Sequence, residues 1–373
     1  MTEAREDKDC ASVSRSDYVS RSDAGAQGDR APRGDAGARG ANAAAELDLT
    51  AAPLFDWRHT LAALADWTAA PDRGRPTHDG AGWLMALRVG SHPGKLVVAE
   101  LRPGRAEGCL SVRLGHGARP GADAGITVSE VADAESQLRW RLALELDTRS
   151  LHEAAKRDPA FEPVAAALAG FHPPLFSSAF QAACWTVVRQ RTPPAFAAAS
   201  FGRIAEFLGE EVVSSPALPT GGASERRPGD PTAGPLLVFP TPAALGEGAR
   251  PALLAATNNL RKVDRLRGLA EAFLGVDEAW LRTAAYDEAF AWLAMLPGLG
   301  PWSAEQVAWR GLGRYERTPW RDTGALSAVG AVYAGGLTPA LGSARELAER
   351  YGWQQGLWLR YLKAYPRVSG AKG

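Results

Sequence analysis

The stretch Ala291-Trp-Leu-Ala-Met-Leu-Pro-Gly-Leu-Gly-Pro-Trp-Ser-Ala-Glu305 decides how this chain is read. Phe290, Leu293 and Ala294 stand at helical spacing, and Leu296-Pro-Gly-Leu-Gly300 then breaks the helix. A second helix opens at Pro301, where the missing N–H costs nothing because first-turn amides have no partner within the helix. Its apolar positions are Trp302, Val307, Ala308 and Leu312. Two helices joined by a Gly-x-Gly turn make a hairpin. Gly298 and Gly300 are both expected to adopt backbone conformations closed to other residues and to let a ligand approach closely.

The amides of that turn, with the N-terminus of the second helix, point at an anion, and a DNA phosphate is a natural occupant. Such a contact positions DNA without reading its sequence. Further on, Arg321-Asp-Thr-Gly324 places a carboxylate 22 residues beyond Gly300, at the expected start of a helix over Thr323–Tyr333. An Asp there also serves as an ordinary N-cap. The hairpin followed at this distance by an Asp resembles the helix-hairpin-helix motif of the HhH-GPD superfamily of DNA glycosylases. Members pair a Gly/Pro-rich hairpin with a catalytic Asp about twenty residues on.

The resemblance implies that Asp322 is the catalytic carboxylate of a base-excision-repair enzyme. Breaking an N-glycosidic bond builds positive charge on the deoxyribose, which a fixed carboxylate stabilises while it orients or deprotonates the attacking water. Relatives that also cut the strand carry a lysine two residues past the hairpin as a Schiff-base nucleophile. Here that position is Trp302, so the resemblance implies a monofunctional glycosylase without lyase activity.

In the branch resembling AlkA-like 3-methyladenine glycosylases, the Trp302 position lines the base pocket, where an electron-rich ring suits a flipped cationic base. A second pocket aromatic of that branch falls near Gln306, which departs from the pattern. Trp358 and Tyr361 are further pocket candidates, each also readable as core packing. Cys184-Trp-Thr-Val-Val-Arg-Gln-Arg-Thr-Pro-Pro-Ala-Phe196 resembles the helix that ends in the segment filling the gap left by the extruded base, with Gln190 and Arg191 at the matching positions. An arginine stands where close relatives place an apolar wedge. Asn258-Asn-Leu-Arg-Lys262 resembles the segment before the hairpin, and Lys262 and Arg261 read as phosphate or packing residues or, more simply, as a solvated helix start. The carbonyls of Ala294, Leu296 and Leu299 match those that hold a structural monovalent cation in the family.

The rest of the chain fits a mostly α fold with a small α+β N-terminal domain. Of 373 residues, 46% are hydrophobic and 23% charged, a globular balance with room for two or three modest domains. Residues 1–46 are poor in large apolar side chains and are expected to be disordered. Residues 47–128 carry a helix-like stretch at Thr60–Trp67 and β-type runs at Trp83–Val89, Lys95–Arg102 and Cys109–Leu114, separated by Gly and Pro. Leu54-Phe-Asp-Trp57 through Gly115 resembles the N-terminal domain of the AlkA-like branch. From residue 129 to 373 the pattern is helical: Ser129–Leu146, Phe176–Gln190, Ala195–Leu208, Lys262–Phe273, Asp287–Leu296, Pro301–Leu312 and Ala344–Ala364. Residues 213–235, rich in Pro, Gly and Ser, read as a flexible surface insert.

Formal net charge is zero, but Leu296 to Gly373 holds ten Lys/Arg against five Asp/Glu, a local positive face of the kind a phosphate backbone needs. Cys10, Cys109 and Cys184 are isolated, so free thiols are expected, and neither an iron–sulfur nor a zinc site. There is no apolar run of membrane-spanning length and no signal pattern, which makes cytoplasmic placement the default, nucleoid-associated in a prokaryote. The expected partner is double-stranded DNA with damaged bases, met by a monomer. A helix-hairpin-helix protein that binds DNA without turnover, and a glycosylase for other damaged bases, are the competing readings.

Overall fold

The computed structural model describes residues 45–67, 69–90, 95–116, 125–212, 236–322 and 324–368. The expectation of a disordered tail, up to residue 44, and that of a flexible insert at 213–235 lie outside the described residues. The tail reading fails at its last two residues: Ala45 and Glu46 begin a strand, β1 (Ala45–Thr50), paired with Leu114 and Arg113. The alternation in Ala45-Glu-Leu-Asp-Leu-Thr50 turns Leu47 and Leu49 toward the core, a signal too short to stand out beside a polar tail.

After β1 come α1 (Trp57–Asp66), β2 (Arg75–Pro76), β3 (Trp83–Val89), β4 (Lys95–Pro103) and β5 (Cys109–His116). They build a five-stranded antiparallel sheet of order β1-β5-β4-β3-β2. In β3 the two-residue period splits a nearly all-apolar run between two cores. Trp83, Met85, Leu87 and Val89 pack with α1 and with α2 (Val128–Arg141). Leu84 and Ala86 pack with Val212, Leu236 and Val238. The last three belong to β6 (Glu210–Val212) and β7 (Leu236–Val238), an antiparallel pair that covers the other face.

The helices between these elements are α3 (Arg149–Ala155), α4 (Glu162–Ala167), α5 (Ala179–Arg189) and α6 (Pro194–Leu208). Beyond β7 lie α7 (Arg250–Thr257), α8 (Leu260–Leu274), α9 (Glu278–Thr283), α10 (Tyr286–Met295), α11 (Pro301–Gly311), α12 (Ala325–Tyr333), α13 (Leu341–Glu349) and α14 (Gln355–Val368). The expected Ala344–Ala364 helix is two helices, because Gly352 takes a left-handed φ of 52° between them. Thr127 caps α2, in a capping box with Glu130.

Helix α5 is the central rod: every residue from Ala179 to Val188 is buried. Helix α11 lies against it at close range, since a Cβ built on Gly311 would come 2.5 Å from that of Ala182. The same helix joins two cores. Ala304, Val307 and Ala308 belong to a core shared with α5, α6, α8 and α10, while Trp309 belongs to one shared with α4, α12, α13 and α14 and donates its indole N–H to the Gly356 carbonyl at 2.8 Å. The Leu296–Gly300 turn sits against the first of these cores, which takes in Leu296 and Leu299.

Cys184 is a buried free thiol, whereas Cys109 is disulfide-bonded, so the expectation of free thiols fails there. Among the described residues no helix is long and apolar enough to cross a membrane.

Candidate active site

The turn begins where α10 ends. The Leu299 N–H donates to the Leu296 carbonyl at 3.0 Å, Leu299 itself is buried in the core, and Gly298 takes a φ of 79°. Any other residue at Gly298 would be strained, and a Cβ there would meet Arg265 Cδ at 2.5 Å. Gly300 behaves differently from the sequence expectation. Its φ of −94° is open to any residue, and a Cβ would meet nothing within 4 Å. What the absent side chain leaves at Gly300 is open space in front of the first turn of α11.

Gln190, at the C-terminal end of α5, clamps this turn. Its Nε2 donates to the Gly298 carbonyl at 2.7 Å and to Ser303 Oγ at 3.1 Å, and its Oε1 accepts from Arg265 Nη1 at 2.7 Å. Arg191 follows with a left-handed φ of 52° and an exposed side chain. Lys262 is turned inward: its Nζ donates to the Val188 carbonyl at 2.6 Å and to Thr192 Oγ1 at 2.5 Å. It satisfies a carbonyl that the end of α5 leaves unpaired, and burial, helped by Arg265, lowers its pKa. This geometry serves packing, and departs from both a phosphate contact and a solvated helix start.

Asp322 sits on the loop before α12. It is not the N-cap expected from the sequence; that position is Gly324, whose N–H donates to Asp322 Oδ1 at 3.1 Å. Arg321 ties the loop to α11 by donating to Glu305 Oε1 at 3.0 Å. The Asp322 side chain is only 11% exposed and pairs through Oδ1 with the Lys363 ammonium of α14. Burial works to raise the Asp322 pKa. The charge and hydrogen bond of Lys363, the charge of Arg310 and the Gly324 N–H outweigh it and hold the carboxyl below the usual aspartate range. Burial in turn lowers the Lys363 pKa, against the pull of Asp322.

Lys363 lines a cavity of about 130 Å³ together with Trp309, Arg310 and Arg360, closed on the other side by Asp66, Trp67, Phe171 and Pro174. The Trp309 ring has Arg360, Arg310 and Lys363 at 5.2, 5.4 and 5.8 Å from its centroid. Trp302 stands half-buried on the first turn of α11. Gln306, one turn further, is 5% exposed, and its Nε2 has no hydrogen-bond partner among the described residues.

Trp358 and Tyr361 are corrected as pocket candidates. Both are 0% exposed. Trp358 stacks on Tyr351 and donates to the Tyr333 hydroxyl at 3.2 Å, and the Tyr361 hydroxyl donates to the Phe171 carbonyl at 2.9 Å. A ring sealed in this way offers no face to a ligand. Sequence reasoning missed Arg265, Arg310 and Lys363. Lys363 reaches Asp322 across 41 residues, from a helix with no motif of its own.

No family model matches this chain, and no curated protein matches it by sequence. Its structure is similar to that of a 3-methyladenine DNA glycosylase from Archaeoglobus fulgidus, with a TM-score of 0.66 and 20% identity over 86% of this chain and 98% of that one. It is also similar to MBOgg1 in complex with a low-affinity DNA ligand, with a TM-score of 0.59 and 15% identity over 87% and 96%. A third likeness is to the apo form of Clostridium acetobutylicum 8-oxoguanine glycosylase/lyase, with a TM-score of 0.54 and 13% identity over 86% and 96%. The fold is therefore shared with these DNA glycosylase structures, mostly helical with an N-terminal sheet. The likeness spans structures with different base preferences and does not single out one branch.

Proposed function

We propose that this chain is a DNA glycosylase of base excision repair that everts a damaged nucleotide and hydrolyses its N-glycosidic bond, with Asp322 as the catalytic carboxylate. One observation carries the reading: a buried carboxylate, kept ionised by fixed donors, stands on a loop pinned to the helix that follows the Gly-x-Gly turn. An ionised carboxylate facing the sugar stabilises the positive charge that grows on it as the base leaves, and it aligns the water that completes hydrolysis. The turn amides and the start of α11 would take a phosphate, with open space at Gly300 for its approach. Gln190 would act on DNA through the turn it holds, and Arg191, exposed beside it, is the proposed wedge. Trp302 and the unpartnered Nε2 of Gln306 are the proposed base contacts on α11.

Trp302, standing where strand-cutting relatives carry a lysine, supports hydrolysis by a monofunctional enzyme. The carbonyls of Ala294, Leu296 and Leu299 are proposed to hold a structural monovalent cation. Three hard oxygens suit one, and the Leu296 carbonyl, which already accepts from Leu299, keeps a second lone pair. Alkylated bases of the 3-methyladenine type are the leading substrates, from the resemblance of the hairpin and the N-terminal sheet. One observation favours a second reading, a glycosylase for neutral damaged bases. The Trp309 ring beside the cavity already carries three cations, which a positively charged base would meet.

The experiment incubates the protein separately with methylated duplex DNA and with duplex DNA carrying 8-oxoguanine, and identifies free bases by mass spectrometry. Release of 3-methyladenine supports the first reading and release of 8-oxoguanine alone the second. Tight DNA binding with no base released from either duplex would sink both and leave a non-catalytic DNA-binding protein.

A further inference from the structure

Asp322 is one half of a pair whose other half the family pattern does not supply. The Lys363 ammonium bonds Asp322 Oδ1 and sits close beside Gly324, where a Cβ would lie 3.0 Å from Lys363 Nζ. Lys363 and Trp309 line the same cavity, and the ammonium lies 5.8 Å from the centroid of the indole ring, so the indole as well as the carboxylate bears on its position. Three groups from three elements thus converge on Asp322: Lys363 from α14, Arg310 from α11 and the Gly324 N–H at the start of α12. Arg360 bears on Lys363 from one turn earlier in α14, and Asp66 of α1 lines the same cavity.

We propose that Lys363 is a positioning residue for Asp322, fixing the orientation of the carboxylate and supplying the counter-charge that lets it stand ionised in a buried place. The inference rests on the glycosylase reading for its effect on base release, but the pair itself is tested independently of activity. A buried carboxylate without a partner takes up a proton, because a low-dielectric surrounding penalises its charged form. Lys363 removes that penalty and leaves Oδ2 free of the hydrogen bonds that engage Oδ1. In this arrangement the oxygen that faces the sugar is Oδ2, while Oδ1 anchors the group to α14 and α12.

The test follows the Asp322 carboxyl by carbon-13 NMR in aspartate-labelled protein, with the signal assigned by its loss in D322N. In K363M the titration midpoint is expected to rise by ~1 unit or more, the size of shift an adjacent opposite charge produces. K363R is expected to keep it near the wild-type value. G324A, whose φ of −101° tolerates alanine, pushes the ammonium away without removing it and is expected to raise the midpoint less. It serves as the second variant if K363M does not fold. In base release under single turnover, the ratio of the K363M rate at pH 5 to its rate at pH 8 is expected to fall below that of the wild type, with K363R restoring the wild-type ratio.

A folded K363M with the wild-type carboxyl midpoint and pH ratio would overturn the inference. Borohydride trapping of Lys363 on DNA with an abasic site would overturn it as well, because the amine would then be a reacting group rather than a positioning one. A wild-type protein that releases no base refutes the glycosylase reading, and the carboxyl titration still decides the pair.

Discussion

Around Leu296–Gly300 the chain is held by neutral hydrogen bonds to its own backbone: Gln190 on the Gly298 carbonyl at 2.7 Å and the Leu299 N–H on the Leu296 carbonyl at 3.0 Å. Around Asp322 it is held by charge, with Lys363 bonded to the carboxylate and Arg310 acting from α11. The first region depends on a conformation, the second on a desolvated ion pair. The conformation is tolerant of pH, and the ion pair is not. The two regions should therefore fail under different perturbations, although both serve one proposed reaction.

The largest effect is expected at the charged region. Asp322→Asn keeps the size of the side chain and removes the charge that would face the sugar. Base release under single turnover is expected to fall by roughly 100- to 1000-fold, with duplex DNA affinity unchanged. A variant that releases bases at the wild-type rate would deny Asp322 its role and end the contrast between the two regions. At the turn, Gly298→Ala is expected to cost about 1–3 kcal/mol, read as a lowered Tm, because alanine is strained at a φ of 79° and its methyl meets Arg265. Duplex affinity should fall with it, since Arg265 and Gln190 cannot both stay in place.

A smaller effect separates the regions by pH. The Asp322 carboxyl is held below its ordinary value of 3.8 in the folded protein, so its pairing contributes stability that is complete above that value. That contribution is lost as pH falls below 3.8 and through the lower folded value. Urea unfolding between pH 5 and about 2.5 should therefore show a steeper loss for the wild type than for D322N. Gly298→Ala should leave that slope as it is. Equal slopes in wild type and D322N would mean that the pair is no stronger than an exposed one.

The hairpin was legible in the sequence because its requirements are local. A helix break, a proline at the start of a helix and a residue with left-handed φ are all properties of neighbouring residues. Asp322 was legible through its distance from the hairpin, but its exact place was not: Gly324, two residues on, caps α12. Lys363 could not be read at all, because its contact with Asp322 is made by the packing of α14 against α11 and α12 and leaves no periodic trace. Trp358 and Tyr361 misled for the related reason that an aromatic side chain reads the same in a pocket wall and in a core, and only burial separates them. Helix α5 was legible by composition, whereas the break at Gly352 was hidden inside a stretch that is helix-forming on both sides.

The smallest effect on the free protein, and the sharpest division within the turn itself, is expected from Gly300→Ala. Gly300 has an ordinary φ of −94° and open space where a Cβ would stand, so alanine should change the stability by no more than about 0.5 kcal/mol. If the open space is where a phosphate comes up to the first turn of α11, the same methyl group should still weaken duplex binding several-fold, and equally for any sequence, since the contact reads no bases. Gly298→Ala would then fail through the fold and Gly300→Ala through the ligand, two glycines one residue apart with opposite reasons for being glycine. Thermal melts and salt-dependent binding isotherms on the two variants check this directly. A Gly300→Ala protein that melts normally and binds duplex DNA as tightly as the wild type would move the proposed phosphate contact away from the start of α11 and leave the turn with a purely structural use for its second glycine.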